Sequence, residues 1–223
     1  MGWDHLLFAN WPVEPSVVRP LVPDALTVDT RDGAAWLSVV PYTNVDVRPA
    51  WLPAGTGFRL PELNLRTYVT HEGRDGVYFL SLDADGLLGV LGARLLHYLP
   101  YFYARASLET DGDRVRFESR RRHPGARSAH FAATYGPTGD RLAVEPDSLP
   151  AFLTERYRYF TESPTGDLRY ARVDHEPWPL FAATVSIEAN TLFAADGVAH
   201  PAGEPVCYYS PGVTTVASRS LRA

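Results

Sequence analysis

Four polar side chains recur at every second position in one short stretch of the sequence: Glu62, Asn64, Arg66 and Tyr68. Leucine or threonine occupies each position between them, and a valine follows. A β-strand places successive side chains on opposite faces, so the pattern predicts a strand with one polar and one mainly apolar face. On the inner wall of a closed sheet, this polar row would offer donors and acceptors to a small carboxylate- or carbonyl-bearing ligand.

Arg66 is the most informative of these side chains. If it faces a low-dielectric interior, its guanidinium needs a carboxylate or a hydrogen-bonding ligand, because an unpaired buried charge is costly. Glu62, Glu109 and Glu118 are the carboxylates that could pair with it inside the protein. Two interpretations therefore stand side by side: a structural ion pair, and a site for a small anionic molecule.

The absence of lysine limits the chemistry. All 21 basic residues are arginines, so every mechanism that forms a lysine Schiff base is excluded, including one through pyridoxal phosphate. The single cysteine, Cys207, lies in an apolar run and is expected to be a buried, inert thiol. One cysteine allows no intramolecular disulfide, which suits a reducing compartment and a cytoplasmic location.

Several classes of function receive no support from the sequence. The formal net charge of −5 argues against nucleic-acid binding, and we interpret Arg120-Arg121-Arg122 as a solvated strand end. No apolar run approaches the roughly 20 residues of a membrane span. The seven histidines lack zinc-ligand spacing, so no metal is expected. The glycines of Gly86-x-x-Gly89-x-x-Gly92 depart from dinucleotide-binding spacing, so no cofactor is expected either.

The elements that must position the polar row are mostly strands. We predict about ten strands, two modest helices (84–98 and about 148–159) and a short helix over 15–21. Pro23 ends the short helix over 15–21, and Ser148 caps the helix over about 148–159. Arg31-Asp32-Gly33 is predicted to turn a hairpin that joins strands 26–29 and 34–42.

Helices and strands do not alternate, so a doubly wound sheet is not expected. We predict one mainly antiparallel domain over 1–223, closed as a barrel or curved sandwich. The remaining sheet edges and the tryptophan-containing loop 45–57 need cover, which a homo-oligomer would supply.

Four segments resemble the uncharacterised conserved proteins of the DUF2071 (YqjF-like) family. They are Pro-Asp-Ala-Leu-Thr-Val-Asp at 23–29, Asp-Gly-Ala-Ala-Trp-Leu-Ser-Val-Val-Pro at 32–41, Asn-Leu-Arg-Thr-Tyr-Val at 64–69 and Ser-Pro-Gly-Val at 210–213. The resemblance extends over essentially the whole chain. It implies, more remotely, the fold of acetoacetate decarboxylase, a cone-like antiparallel β-barrel with a central pocket.

The decarboxylase family carries Gly-Arg-Glu-x-x-Gly-x-Pro-Lys-Lys, whose first lysine forms the Schiff base. Residues 93–102 match its spacing, with Arg94 and Pro100 at the arginine and proline positions. Leu95 replaces the glutamate, and Tyr101 and Phe102 replace the two lysines. The resemblance therefore implies a retained scaffold without imine chemistry. The family's pocket glutamate corresponds to Glu62 or to Asn64.

Three functional hypotheses follow. In the first, a central pocket binds a small acid or carbonyl compound: Arg66 and Arg94 receive the anionic end, and Asn64, Tyr101 and the neighbouring Tyr68 offer hydrogen bonds. In the second, the protein is a non-covalent lyase, hydratase or isomerase, with Tyr101 as the general acid and Glu62 as the base. In the third, it is a structural or partner-binding domain whose cavity is filled by its own side chains.

Overall fold

The computed structural model describes residues 1–48, 52–86 and 97–223. Within these ranges it contains thirteen strands and three short helices. The helices are α1 (Pro15–Val18), which continues as a 3-10 turn over Arg19–Leu21, α2 (Leu149–Thr154) and α3 (Leu192–Ala195). The strands are β1 (Gly2–Val13), β2 (Thr27–Val28), β3 (Ala35–Val47), β4 (Phe58–His71), β5 (Arg74–Ala84), β6 (Tyr101–Asp111), β7 (Arg114–Arg121), β8 (His130–Arg141), β9 (Arg158–Glu162), β10 (Leu168–His175), β11 (Phe181–Asn190), β12 (Val206–Ala217) and β13 (Leu221–Arg222).

All thirteen strands belong to one sheet, and its pairings close on themselves. The strand order β5-β6-β7-β8-β11-β12-β1-β3-β4 returns to its start because β4 also pairs with β5. These nine strands form a ring. The pairs are antiparallel except β5 with β6 and β5 with β9. The predicted fold class, mainly antiparallel β with a few short helices, is confirmed.

Besides β4, which pairs with β3 and then with β2 along one edge, two further strands of this ring branch. Along one edge, β5 pairs first with β9 and then with β6, and β12 pairs with both β11 and β10. Since β9 also pairs with β10, a second ring runs β4-β5-β9-β10-β12-β1-β3. Five strands, β12, β1, β3, β4 and β5, are therefore a wall common to both rings.

The two faces of this common wall contribute to two different hydrophobic cores. On β4, Leu63, Leu65 and Val69 belong to one core, whereas Tyr68 belongs to the other. The first core includes Phe117 of β7 and is here called the nine-strand interior. The second takes side chains from all strands of the smaller ring and is called the seven-strand interior. Because side chains alternate along a strand, each wall strand contributes side chains to both interiors.

Two turns predicted from the sequence differ in how well the predicted strand pairing around them agrees with the structure. Glu72 and Gly73 adopt positive φ and turn β4 directly into β5, as expected. Asp32 and Gly33 also adopt positive φ. The predicted turn forms, and Arg31 and Ala34 pair across it. However, the predicted pairing of the flanking strands is wrong, because β2 pairs with β4 and not with β3.

The predicted C-terminal helix begins correctly but is shorter than expected. The Ser148 side chain accepts a hydrogen bond from the Ala151 backbone N–H at 3.4 Å, which is the predicted cap. Helix α2 ends at Thr154, and residues 158–162 form β9, because pairing with β5 and β10 overrides local helix preference. Of the helix predicted over 84–98, residues 87–96 lie outside the described residues. Its predicted start is wrong, because Ala84 is the last residue of β5. No helix in the described ranges is long and apolar enough to cross a membrane.

Candidate functional site

The polar row of β4 lies on the face of the wall that borders the seven-strand interior. Glu62 and Asn64 are only 3% and 4% exposed, and Tyr68 is fully buried. Arg66 is half-buried and contacts Phe8 and Tyr68, two members of that core. Glu62 and Asn64, between which the sequence left the pocket position open, therefore share one face.

Glu62 is the centre of a buried hydrogen-bond cluster. Its Oε1 accepts a bond from the Tyr42 hydroxyl at 2.5 Å, and its Oε2 accepts one from Asn44 Nδ2 at 2.9 Å. The Tyr101 hydroxyl donates to the same carboxyl group, 3.1 Å from Oε2 and 3.3 Å from Oε1. The pairing of β3 with β4 sets Tyr42 opposite Glu62, while β6 supplies Tyr101.

Burial determines the protonation states in this cluster. It raises the pKa of Glu62, although the three donors act in the opposite direction. Burial and the nearby Glu62 carboxyl raise the pKa values of Tyr42 and Tyr101 well above that of an ordinary tyrosine. Both phenols therefore stay protonated near neutral pH and act as hydrogen-bond donors.

Arg66 does not form the ion pair that was one of its two predicted roles. Its Nη2 donates to the Leu153 backbone oxygen at 3.1 Å, and its guanidinium lies 5.4 Å from the Phe8 ring centroid. Nε is buried without a hydrogen-bond partner. Within the described part of the chain, no carboxylate lies within ion-pair distance of Arg66.

The three carboxylates considered as its partners are placed otherwise. Glu62 is bound by Tyr42, Asn44 and Tyr101. Glu109 is exposed, and Glu118 pairs with Arg120 and His130. The ion pair is absent because Glu109 and Glu118 lie on β6 and β7, neither of which pairs with β4.

Asn64 and Tyr68 differ in whether their side chains form hydrogen bonds with other residues of the protein. The Asn64 side chain makes no hydrogen bond to any described residue, and its Oδ1 is buried. The Tyr68 hydroxyl is 2.7 Å from Ser38 Oγ, and it donates to the Leu153 oxygen at 2.8 Å. Asn64 is therefore available to a ligand, whereas Tyr68 serves to support its neighbours.

Helix α2 closes one end of the seven-strand interior with its C-terminal carbonyls. Leu153 O accepts the bonds from Arg66 and Tyr68, and Thr154 O accepts one from Trp178 Nε1 at 2.9 Å. Arg156, just after the helix, pairs with Asp29 at 2.9 Å and Asp75 at 3.2 Å. The bonds to Leu153 O and Thr154 O satisfy carbonyls that a helix end leaves without intrahelical partners.

The segment compared with the decarboxylase motif lies beside this cluster where it is described. Arg94 lies outside the described residues. His97 Nδ1 is 2.6 Å from the Tyr159 hydroxyl, and burial lowers the His97 pKa. Tyr101 reaches Glu62, while the next side chain, Phe102, packs under Arg121, whose guanidinium carbon is 4.1 Å from the ring centroid.

Sequence reasoning missed Tyr42, Asn44 and Trp36, which share the interior. Ser38, Tyr42 and Asn44 occur at even positions of β3, so polar alternation on a second strand was the available signal. Trp36 adds a buried indole N–H without a hydrogen-bond partner. Cys207 is not part of the site, and burial raises the pKa of its thiol to about 12.

Comparison with known proteins gives a consistent family and fold. Residues 1–214 match the family model DUF2071, described as an uncharacterized conserved protein. The uncharacterized protein YqjF of Bacillus subtilis (strain 168) is 44% identical over 209 residues, which are 93% of this chain and 85% of that protein.

Solved structures with the same fold are much more distant in sequence. The enduracididine biosynthesis enzyme MppR, complexed with pyruvate, has a TM-score of 0.68 at 14% identity, covering 99% of this chain and 88% of its own. Acetoacetate decarboxylase from Legionella pneumophila has a TM-score of 0.67 at 12% identity, covering 100% and 86%. An acetoacetate decarboxylase-like enzyme from Sphingomonas wittichii RW1 has a TM-score of 0.60 at 19% identity, covering 100% and 91%.

Proposed function

We propose that this chain, which belongs to the DUF2071 family and has an acetoacetate decarboxylase-like fold, binds a small oxo acid or related carboxylate in its seven-strand interior. One observation carries the proposal: Arg66 points into this interior without a carboxylate partner. Its Nε is buried and unbonded. An unpaired guanidinium in such a place is costly unless a ligand supplies the anion.

The neighbouring groups suit the rest of such a molecule. The ligand's carboxylate would bind the Arg66 guanidinium, which matches carboxylate geometry with parallel donors. Asn64, two residues away on the same face, offers an amide that can donate or accept. Tyr101 and Tyr42 keep their protons, so either hydroxyl can donate to a ligand carbonyl by exchanging its bond to Glu62.

The proposed binding is non-covalent. The chain contains no lysine, and the phenol at Tyr101 cannot form an imine. Among proteins of this fold, MppR is described in complex with pyruvate, which supports a small oxo acid as the ligand class to test first.

A thermal-shift screen of two- to six-carbon carboxylic and oxo acids tests the binding proposal. We expect at least one acid to raise the melting temperature of the wild type, because a ligand that binds only the folded state stabilises it. Arg66→Ala should abolish that rise. Arg59→Ala is the matched control, because Arg59 lies on the same strand but is 62% exposed. A response that survives in Arg66→Ala would exclude this site.

A second candidate function is acid–base catalysis on the same ligand class, and the contact between Tyr101 and Glu62 favours it. Glu62 would remove a proton next to the carbonyl, and Tyr101 would donate to the carbonyl oxygen. The purified protein should then exchange the C3 protons of a bound 2-oxo acid with deuterium, measured by NMR. Tyr101→Phe should slow this exchange by about 100-fold, the usual contribution of a positioned acid. Exchange at the wild-type rate in that variant would remove Tyr101 from the mechanism.

The third hypothesis, a domain that fills its cavity with its own groups, receives less support. It requires Arg66 to be neutralised by a protein carboxylate, and no described carboxylate does so. The Leu153 carbonyl supplies only a partial negative charge.

A further inference from the structure

The wall of the seven-strand interior is interrupted at one edge of β5. Val77 and Tyr78 pair with β9, and Leu82 to Ala84 pair with β6. The residues between them, Phe79 to Ser81, pair with none of the described strands on that edge. Because β9 and β6 diverge here, hydrogen bonds between strands do not seal this fork in the sheet.

A cavity of about 540 Å³ lies at this fork, lined among others by Phe79, Leu99, Pro100 and Thr161. Two of its wall residues, Phe79 and Leu99, also pack in the core of the seven-strand interior. Leu21, Leu80 and Phe160, which also line the cavity, pack with the other core. Phe79 and Leu99 therefore lie at the boundary between the cavity and the seven-strand interior.

This boundary adjoins the candidate site. Leu99 precedes Tyr101 by two residues, and Tyr101 pairs with Leu82 of β5. On the other edge of β5, Glu62 pairs with Ala84. A molecule that passes Leu99 therefore arrives beside the Tyr101 and Glu62 side chains, which are in hydrogen-bond contact.

The other fork of the sheet is closed by stacked aromatic rings. On β12 it separates the pairing with β11 from that with β10, and the connection 176–180 fills it. Trp178 lies parallel to Trp3 at 5.9 Å and edge-on to Phe8 at 5.2 Å. Its indole N–H is bonded to Thr154 O, so opening this fork would disrupt stacking and the end of α2.

We propose that Phe79 and Leu99 form the portal to the seven-strand interior and determine the size of the acids that enter. This inference rests on the proposed binding function, because it concerns access to that site. Short acids pass after a small rotation of the two side chains. Longer or branched acids are too large to pass between the Phe79 and Leu99 side chains.

Ligand NMR line-shape analysis tests the portal by measuring association and dissociation rate constants for pyruvate, 2-oxobutyrate and 2-oxohexanoate. In Leu99→Ala, both rate constants should rise at least tenfold for the short acids, with Kd changed less than twofold. For 2-oxohexanoate, the association rate constant should rise at least tenfold or become large enough to measure. Phe79→Leu, a milder change, should act in the same direction and provides the test if Leu99→Ala fails to fold. Leu142→Ala is the matched control, because Leu142 lines the cavity beside Trp178.

The outcomes separate the portal from the binding function. If the wild type binds the short acids and neither portal variant changes the rates or size limit, the portal is wrong and the binding site stands. The same holds if Leu142→Ala accelerates exchange equally. If the wild type binds none of the tested acids, the binding proposal and the portal are both overturned.

Discussion

Two arginines on opposite sides of β5 have guanidinium groups in very different surroundings. Arg121 of β7 is paired with Asp83 at 2.7 Å and with Asp196 at 3.0 Å, and its side chain is 2% exposed. Arg66 of β4 has a backbone carbonyl and aromatic rings around it, but no carboxylate among the described residues. Two protein carboxylates balance the charge of the Arg121 guanidinium, although its Nη2 has no hydrogen-bond partner in the described part of the chain, whereas the charge of Arg66 leaves a place for an anion.

The Arg121 cluster also includes a serine. Ser81 donates a hydrogen bond to the second oxygen of Asp196, so the cluster joins β5, β7 and the end of α3. Burial raises the pKa of Asp83 to about 6, even though Arg121 acts against the shift. A cluster with two carboxylates and one guanidinium serves to hold elements together. Arg121 therefore has a structural role, whereas the proposed role of Arg66 is to bind a ligand.

The largest expected effect is the loss of stability when Arg121 is removed. Arg121→Met leaves Asp83 and Asp196 buried without their cation, which should cost about 3–5 kcal/mol of unfolding free energy. Arg66→Met loses one hydrogen bond to Leu153 O and should cost about 1 kcal/mol. Urea unfolding at pH 7 measures both. Equal losses in the two variants would erase the distinction between the two arginines.

The pH dependence of stability should identify Asp83. Its folded pKa, about 6, lies above that of an unfolded aspartate, so the folded state holds the proton more tightly. Its stabilising contribution is present below about pH 4 and is lost as pH rises to about 6, amounting to about 3 kcal/mol. Asp83→Asn should remove this component from the urea-unfolding profile between those values. Asp140→Asn, which changes an exposed carboxylate, is the matched control, and an unchanged profile in Asp83→Asn would contradict the assignment.

A smaller effect should appear in the pH dependence of acid binding. Burial raises the pKa of Glu62, so this carboxyl takes up a proton at a higher pH than an ordinary glutamate. Neutral Glu62 no longer repels a ligand carboxylate, and affinity should rise by about tenfold as pH falls through that pKa. Glu62→Gln should bind with an affinity independent of pH in the same range, measured by titration calorimetry. Glu109→Gln, which changes an exposed residue, should retain the wild-type pH dependence.

The sequence was sufficient for the local features that depend on alternation and turns. Alternation from Glu62 to Tyr68 correctly placed these four side chains on one face, and the Glu72-Gly73 turn fixed β4 against β5. The Ser148 cap was visible as well. Each of these features depends on neighbouring residues, so local physical rules are enough to predict it.

Features that depend on distant pairing were not visible. Nothing local reveals that β5 and β12 branch, so the existence of two interiors and of β9 was missed. The same limit applies to Arg66: its failure to meet Glu109 or Glu118 depends on how remote strands are arranged. The Arg121 cluster was missed for the same reason. In the sequence, Arg121 is part of a run of three arginines, which we interpreted as a solvated strand end.

The most direct test of the binding site is a crystal structure of the protein with 2-oxobutyrate, compared with Arg66→Ala under the same conditions. We expect electron density for the acid in the seven-strand interior, with its carboxylate about 3 Å from the Arg66 guanidinium and its carbonyl near Tyr101 or Asn64. The variant should show no ligand there. An interior packed by protein side chains, or an acid bound elsewhere while Arg66 stays with Leu153 O, would contradict the account.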